Sequence, residues 1–263
     1  MRRIPRPRFT LRPVLGRKDS RVHLYWNLAP ADAPVVEASV VLEVINLPQV
    51  PATYFWALQA SFTDADGTNQ GAGHLGLQWY PPHPHSRAVN WGGYPPAHAN
   101  WQHVLGGSRS RLRSTTHDPN TRDFMWQKRR PYELRIAASP KQGWRGTVTD
   151  LVTGAVTVVR DLHAPGDRLT GLVVWTEWFC TCDDPTVAVQ WSRFRTRTSD
   201  GVEHVPTSMM VNHPSDNCAN VGHEVVETQP ELVIRQVMNT VRHIPHGTVL
   251  AVREDWGGPG PVL

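Results

Sequence analysis

Cysteine is scarce in this chain, with three residues in 263. So small and odd a number excludes the dense disulfide framework with which short secreted domains replace a core. No apolar run approaches the ~18 residues of a membrane span. None follows the basic N-terminus as the core of a secretory signal would. The sequence therefore reads as a soluble chain with no membrane partner and a cytoplasmic location. Charged residues are sparse at 19%, against 40% hydrophobic, a balance that excludes a disordered chain. Helical periodicity is nearly absent. So are a G-x-S-x-G elbow and a P-loop. "GAGHLG" at 71–76 fits a dinucleotide fingerprint by its letters. It leads into a strand-like alternation, however, so no helix N-terminus meets a phosphate there. No cofactor is expected.

Nucleic-acid motifs are missing as well. The formal charge of +4 resides largely in Arg2, Arg3, Arg6, Arg8, Arg12, Arg17 and Lys18, and the remainder is close to neutral. Interrupted by proline, this segment reads as a solvated arm over residues 1–20 and not as a nucleic-acid clamp. Residues 21–263 read as one domain.

Alternation with period two is the dominant pattern. In "VVEASVVLEVINL", Val36, Ala38, Val40, Leu42 and Val44 share one face and Glu37, Ser39 and Glu43 the other, as in a half-buried strand. The pattern predicts strands over 35–46, 53–62, 73–79, 131–138, 144–160 (a hairpin turning near Thr153-Gly154), 169–179 and 187–195. Residues 231–241 fit a short helix as well as a strand. Twenty Gly and 23 Pro punctuate the chain at strand-like intervals. The fold class is all-β, an antiparallel jelly-roll or concanavalin-like sandwich with long Pro/Gly-rich loops.

The segments "YFWALQ", "GHLGLQ", "PYELRI", "GWRGTVTDLVTG" and "WTEWF", with a Trp at 91, occur in an order that resembles an uncharacterised bacterial jelly-roll family over residues 22–195. That family looks like the concanavalin-type sandwiches of lectins and glycanases. The resemblance implies one concave sheet and carbohydrate binding. "RRPYELR" is similar to the R-x-E-L-R strand of alginate-lyase-like sandwiches, with its leading Arg one position out of register. The companion Q-[IV]-H strand and the E-x-D-x-x-E strand of concanavalin-type glucanases are both absent.

Half of the 22 aromatic residues are Trp, which suits either a Trp-packed core or a stacking surface. They concentrate in "GLQWYPPHPHSRAVNWGGYPPAHANWQH" at 76–103. From this stretch Gln78, Tyr80, His83, His85, Trp91 and Tyr94, joined by Arg135, form the candidate ligand-binding set, with a glycan or a small apolar molecule as ligand. The residues 81–100 read as a long functional loop. Trp79 shares the apolar face of Leu75 and Leu77 and should enter the core. Trp91 and Tyr94 flank Gly92-Gly93, which should break the strand and carry both rings outward. His83, His85, His98 and His103 match no metal-ligand spacing, so no metal is assigned. Glu133 and Glu177 are the candidate catalytic carboxylates, because each sits mid-strand among apolar neighbours where a charge is costly without a partner or a cleft. On this alternative the protein is a glycan hydrolase or lyase, or a cyclase-like enzyme. For Cys180, Cys182 and Cys218 two readings stand: buried thiols, or a disulfide from Cys218 to one of the other two.

The arm offers little to bury, so deleting residues 1–18 is expected to move the melting temperature by less than about 2 °C, under ~1 kcal/mol for a domain of this size. A larger drop in a thermal melt would mean that the arm docks as a strand.

Overall fold

The computed structural model describes residues 18–96, 105–227 and 231–252. Along the chain these form β1 (Lys18–Asn27), β2 (Val35–Val44), β3 (Tyr54–Thr63), β4 (Asn69–Trp79), β5 (Arg87–Tyr94), β6 (Thr121–Asp123), β7 (Pro131–Ala138), β8 (Trp144–Asp150), β9 (Val156–Leu162), β10 (Arg168–Cys180), β11 (Ala188–Thr198), β12 (Glu203–His204), β13 (Ser208–Asn212), β14 (Val221–Glu227), β15 (Val233–Met238) and β16 (Val249–Ala251). One sheet, A, has the order β16-β13-β1-β10-β3-β4-β5-β6. The other, B, has the order β14-β15-β11-β2-β7-β8-β9, with β12 beside β11. The pairings are antiparallel and the protein is an all-β sandwich.

The strands follow the predicted alternation. On β2 the side chains of Ala38, Val40, Leu42 and Val44 enter the core while Glu37 and Glu43 stay outside. The hairpin of β8 and β9 turns through Gly154 at φ 72°, a left-handed geometry that favours glycine. Of the two readings open for residues 231–241, the strand holds, over 233–238. Val233, Ile234, Gln236, Val237 and Met238 are all buried, so the segment lacks the one-sided alternation that marks a half-exposed strand. With β13, β14 and β16 it shows what residues beyond 195 do: they extend both sheets at one side of the sandwich.

The expectation for Trp91 needs correction. Gly92 and Gly93 do not break the strand; β5 runs through them, and Trp91 is fully buried. The glycines allow close approach instead. A Cβ on Gly93 would stand 2.1 Å from the Ala72 carbonyl. The Trp91 ring lies against Gly73 of sheet A and Gly146 of sheet B, where a Cβ would meet it at 2.7 and 2.6 Å. Trp91 thus fills the space that two missing side chains leave between the sheets. Trp79 is only half-buried, edge-on to Trp126.

A polar relay crosses the same core. Gln236 Oε1 accepts from Thr176 Oγ1 on sheet A at 2.7 Å and from Trp191 Nε1 on sheet B at 3.0 Å. Its amide nitrogen donates to His223 Nε2 at 3.1 Å, which puts the His223 proton on Nδ1. That proton goes to His213 Nε2 at 2.9 Å. Each imidazole must be neutral for the chain of donors to hold. Burial, then nearby cationic groups, holds His213 down to about 4 and His223 well below its ordinary value. Beside the relay, a Cys182–Cys218 disulfide with a Cα–Cα distance of 5.4 Å joins the end of β10 to the segment before β14. Cys180 is a buried thiol outside the disulfide.

Two outcomes are expected. Trp91→Ala should lower unfolding stability in urea by ~3–5 kcal/mol, and by more than Trp79→Ala; equal costs would contradict the slot described for Trp91. The two histidines have native pKa values below the unfolded 6.5, so the unfolded chain binds more protons as pH falls from 6.5 towards 4, and stability is lost over that window. A melting temperature that stays flat from pH 7 to pH 4 would show that the relay does not carry this linkage.

Candidate functional site

The outward side chains of sheet A form a lattice that follows from strand register. Leu24, Trp56, Leu75, Val89 and Val174 face the core, so the alternate positions face out. One cross-strand row reads Gly92, His74, Gln59, Val173, Tyr25, Met210. The next reads Asn90, Gly76, Ala57, Trp175, His23, Asn212. The third reads Ala88, Gln78, Phe55, Glu177, Arg21. Adjacent members of a row are ~4.7–4.9 Å apart.

These rows hold a second apolar cluster, separate from the main core: Phe55, Ala57, Val173 and Trp175, with Tyr25 packed against them. Phe55 is 6% and Trp175 8% exposed although both lie on the outer side of their sheet. Tyr25, Gln59 and His74 pack round them on that face. Tyr94 is a raised member at 50% exposure. The rings meet edge-on or tilted, with Phe55–Trp175 centroids at 4.9 Å, Phe55–His74 at 5.6 Å and His74–Tyr94 at 5.4 Å, the geometry that ring quadrupoles favour. Polar groups fix their positions. Trp175 Nε1 donates to Gln59 Oε1 at 3.2 Å, and His23 Nδ1 bonds Asn212 Oδ1 at 3.1 Å. Arg21 stands opposite Glu177 in register and pairs with Asp216 at 3.2 Å.

Burial holds His74 down to about 4 and also lowers His23, so both imidazoles are neutral at pH 7 and can donate or accept without charge. Burial raises the Tyr94 hydroxyl, and the Glu177 carboxylate adds to that rise. The face combines aromatic surface, neutral hydrogen-bonding groups and one carboxylate in its centre.

Of the residues chosen from sequence, Gln78, Tyr94 and Glu177 come together on this face. Tyr80, His83 and His85 lie in the turn that leads from β4 to β5. There the His83 ring is buried, bonded through Nδ1 to Asp123 at 2.6 Å and tilted against Tyr80 at 5.2 Å. His85 is exposed at φ 52°. His98, Trp101 and His103 lie outside the described residues. Trp91 is in the core. Glu133 and Arg135 belong to β7 and project from the outer face of sheet B, since Tyr132, Leu134 and Ile136 between them face the core. They line a recess of about 370 Å³ together with Glu37, Thr147, Thr149 and Arg195. Arg135 is ion-paired with Glu37 there, and burial pushes the Glu133 carboxyl up. Glu133 and Glu177 therefore point away from each other across two sheets packed ~10 Å apart, too far to act on one glycosidic bond. Phe55, His74, Trp175, Tyr25 and His23 were not singled out from sequence. The signal for one of them was present in "VVWTEWF", where Trp175 shares the parity of Glu177.

No protein-family model matches this sequence, and no curated protein matches it. Among solved structures, Scytalido-glutamic peptidase with a transition-state analogue inhibitor is similar at 11% identity and a TM-score of 0.41, over 85% of this chain and 98% of that one. SCP-B, a member of the eqolisin family of peptidases in complex with the tripeptide Ala-Ile-His, is similar at 11% and 0.37, over 84% and 97%. The alginate lyase Aly36B is similar at 11% and 0.27, over 87% and 82%. The likeness extends to the β-sandwich alone.

Proposed function

We propose that the outer face of sheet A binds a glycan chain. The observation that carries this reading is the composition of the three rows. Each sets an aromatic ring beside amide, imidazole or charged groups: Tyr25 with Gln59 and His74, Trp175 with Asn90 and His23, Phe55 with Gln78 and Glu177. Sugars present C–H faces that pack on rings and hydroxyls at their edges that need polar partners, and this lattice supplies both at a spacing set by the strands. A purely apolar ligand would bring nothing to the amide groups of Gln78 and Asn90, whose oxygens have no donor among the described residues, which favours the glycan over a small apolar molecule. The Cys182–Cys218 disulfide supports an oxidising compartment in preference to the cytoplasm, because such bonds persist there.

A second reading is favoured by Glu177, a half-buried carboxylate in the middle of the face. It could serve as the general acid or base of a hydrolase or lyase on the bound chain. Glu133 takes no part in that chemistry, since it belongs to the other sheet.

Isothermal titration with cellohexaose and with a chitosan hexamer tests the binding reading. Tyr94→Ala removes a half-exposed ring, so it should leave the melting temperature unchanged. It should weaken binding by about 2- to 10-fold, the equivalent of ~0.5–1.5 kcal/mol for one aromatic contact. Glu133→Gln should change nothing. The proposal fails if Glu133→Gln abolishes binding while Tyr94→Ala preserves it. Glu177→Gln separates the two readings: loss of product formation with binding retained would establish the enzyme.

A further inference from the structure

Sheet A opens where β1 and β10 part. Their pairing runs from Lys18–Cys180 to Tyr25–Val173 and stops there. Past that point β1 pairs with β13 through Trp26–Met209 and Asn27–Ser208, while β10 continues beside β3 to Arg168. The register of β10 on β3 shifts between Thr170 and Val173. Gly171 sits within that shift at φ 55°, a left-handed geometry that suits glycine. The chain meanwhile leaves β1 as the link 28–34, which carries it to β2 in sheet B. A recess of about 280 Å³ lies between this link and residues 168–172.

Its walls are mostly apolar. The link contributes Leu28, Ala31 and Pro34, β2 contributes Val35, and β10 contributes Leu169 and Leu172. Arg168 is the one charged side chain among the lining residues. Its Nε is buried without a hydrogen bond. Arg87 and Arg160 share that state, but each is compensated. The Arg87 guanidinium lies over the Trp126 ring at 5.5 Å, and Arg160 donates from its Nη atoms to the carbonyls of Pro119 and Leu105. Arg168 has no such partner among the described residues. Its Nη atoms are not buried, so they stay open to an incoming group. Two carboxylates are near in sequence, Asp32 and Asp167. Both are exposed and neither lines the recess. Asp167 Oδ2 accepts from the Ala65 amide at 3.2 Å, and exposed charges act weakly through water and salt.

We propose that this recess binds a medium-chain fatty carboxylate, with Arg168 as its anchor. A guanidinium presents its N–H groups in a planar fork that matches a carboxylate. A half-buried cation beside apolar walls is costly without a partner, and an anion with an apolar tail satisfies both at once. Apolar lining with one placed polar group is the common pattern of small-molecule sites. A bare anion would leave the walls uncovered, and a neutral alcohol would leave Arg168 without its counter-charge. The site goes beyond the glycan reading and shares no residue with the three rows on sheet A.

Isothermal titration of wild type, Arg168→Gln, Ala31→Phe and Tyr94→Ala with octanoate, octanol and acetate tests the site, with circular dichroism as the folding control. Wild type should bind octanoate at least 5-fold more tightly than octanol, and acetate without measurable heat. Arg168→Gln should weaken octanoate at least 5-fold, to the octanol level, and leave octanol unchanged. Ala31→Phe sets a ring into the recess from an exposed link position, so it should lose both. Should Arg168→Gln not fold, Ala31→Phe decides. Tyr94→Ala should bind octanoate as wild type does. Wild-type octanoate affinity in Arg168→Gln or in Ala31→Phe overturns the proposal. So does a loss in Tyr94→Ala with Arg168→Gln unaffected, which would seat the ligand on the outer face of sheet A. Absence of octanoate binding by wild type overturns it as well. Cellohexaose affinity should be the same in Arg168→Gln as in wild type, so the glycan reading stands or falls separately.

Discussion

Thr176 points inward, and much of the molecule depends on it. Its hydroxyl donates to Gln236 in the core, flanked on β10 by Trp175 and Glu177. With Thr176 committed to the inter-sheet relay, strand geometry sends Trp175 and Glu177 to the opposite side. A one-residue slip of β10 would bury the Glu177 carboxylate and expose Trp178, so the relay and the outer face exclude that register together. The polar relay is therefore more than a tie between sheets. It sets which half of β10 is presented to solvent, and β10 pairs with both β1 and β3, whose outward residues complete the rows.

Sheet A accordingly has two apolar sides with different work. The inner side packs Trp56, Leu58, Leu75 and Trp91 against sheet B. The outer side packs Phe55 and Trp175 among hydrogen-bonding groups, and among the described residues no other sheet covers it. Burying aromatic rings on a solvent side gains little for folding that an inward ring would not gain better. Their presence there, oriented by Gln59 and bordered by Tyr94 and Glu177, is what a recognition surface requires. Sheet B differs. Its outer face carries Arg135, Arg195, Glu37 and Glu203 in ion pairs, the solvated surface expected of a half-exposed sheet.

Much of the fold was legible in the sequence because alternation is a local property. Val40 and Leu42 against Glu37 and Glu43 identify a strand and its buried side without reference to any other segment. The site was legible only in part, because two facts it needs are not local. In "YFWALQASF" and "VVWTEWF" both parities carry aromatics, so hydrophobicity cannot say which ring is inside; Thr176 and Gln236, sixty residues apart, decide it. Sheet membership is equally hidden. Glu133 and Glu177 look alike as mid-strand carboxylates, yet β7 and β10 lie in different sheets and the two point in opposite directions. Trp91 was misread because Gly92-Gly93 suggests a break, whereas the glycines serve to admit Ala72 and Asn120 at close range.

The central claim is that sheet A, through the rows around Trp175, is the binding face. A crystal structure of the protein soaked with cellohexaose or a chitosan hexamer tests it most directly. The account predicts saccharide rings over Trp175, Phe55 and Tyr94, crossing the strands of sheet A. Saccharide seated instead in the recess of Glu133 and Arg135 on sheet B, with the Trp175 face bare, would contradict it.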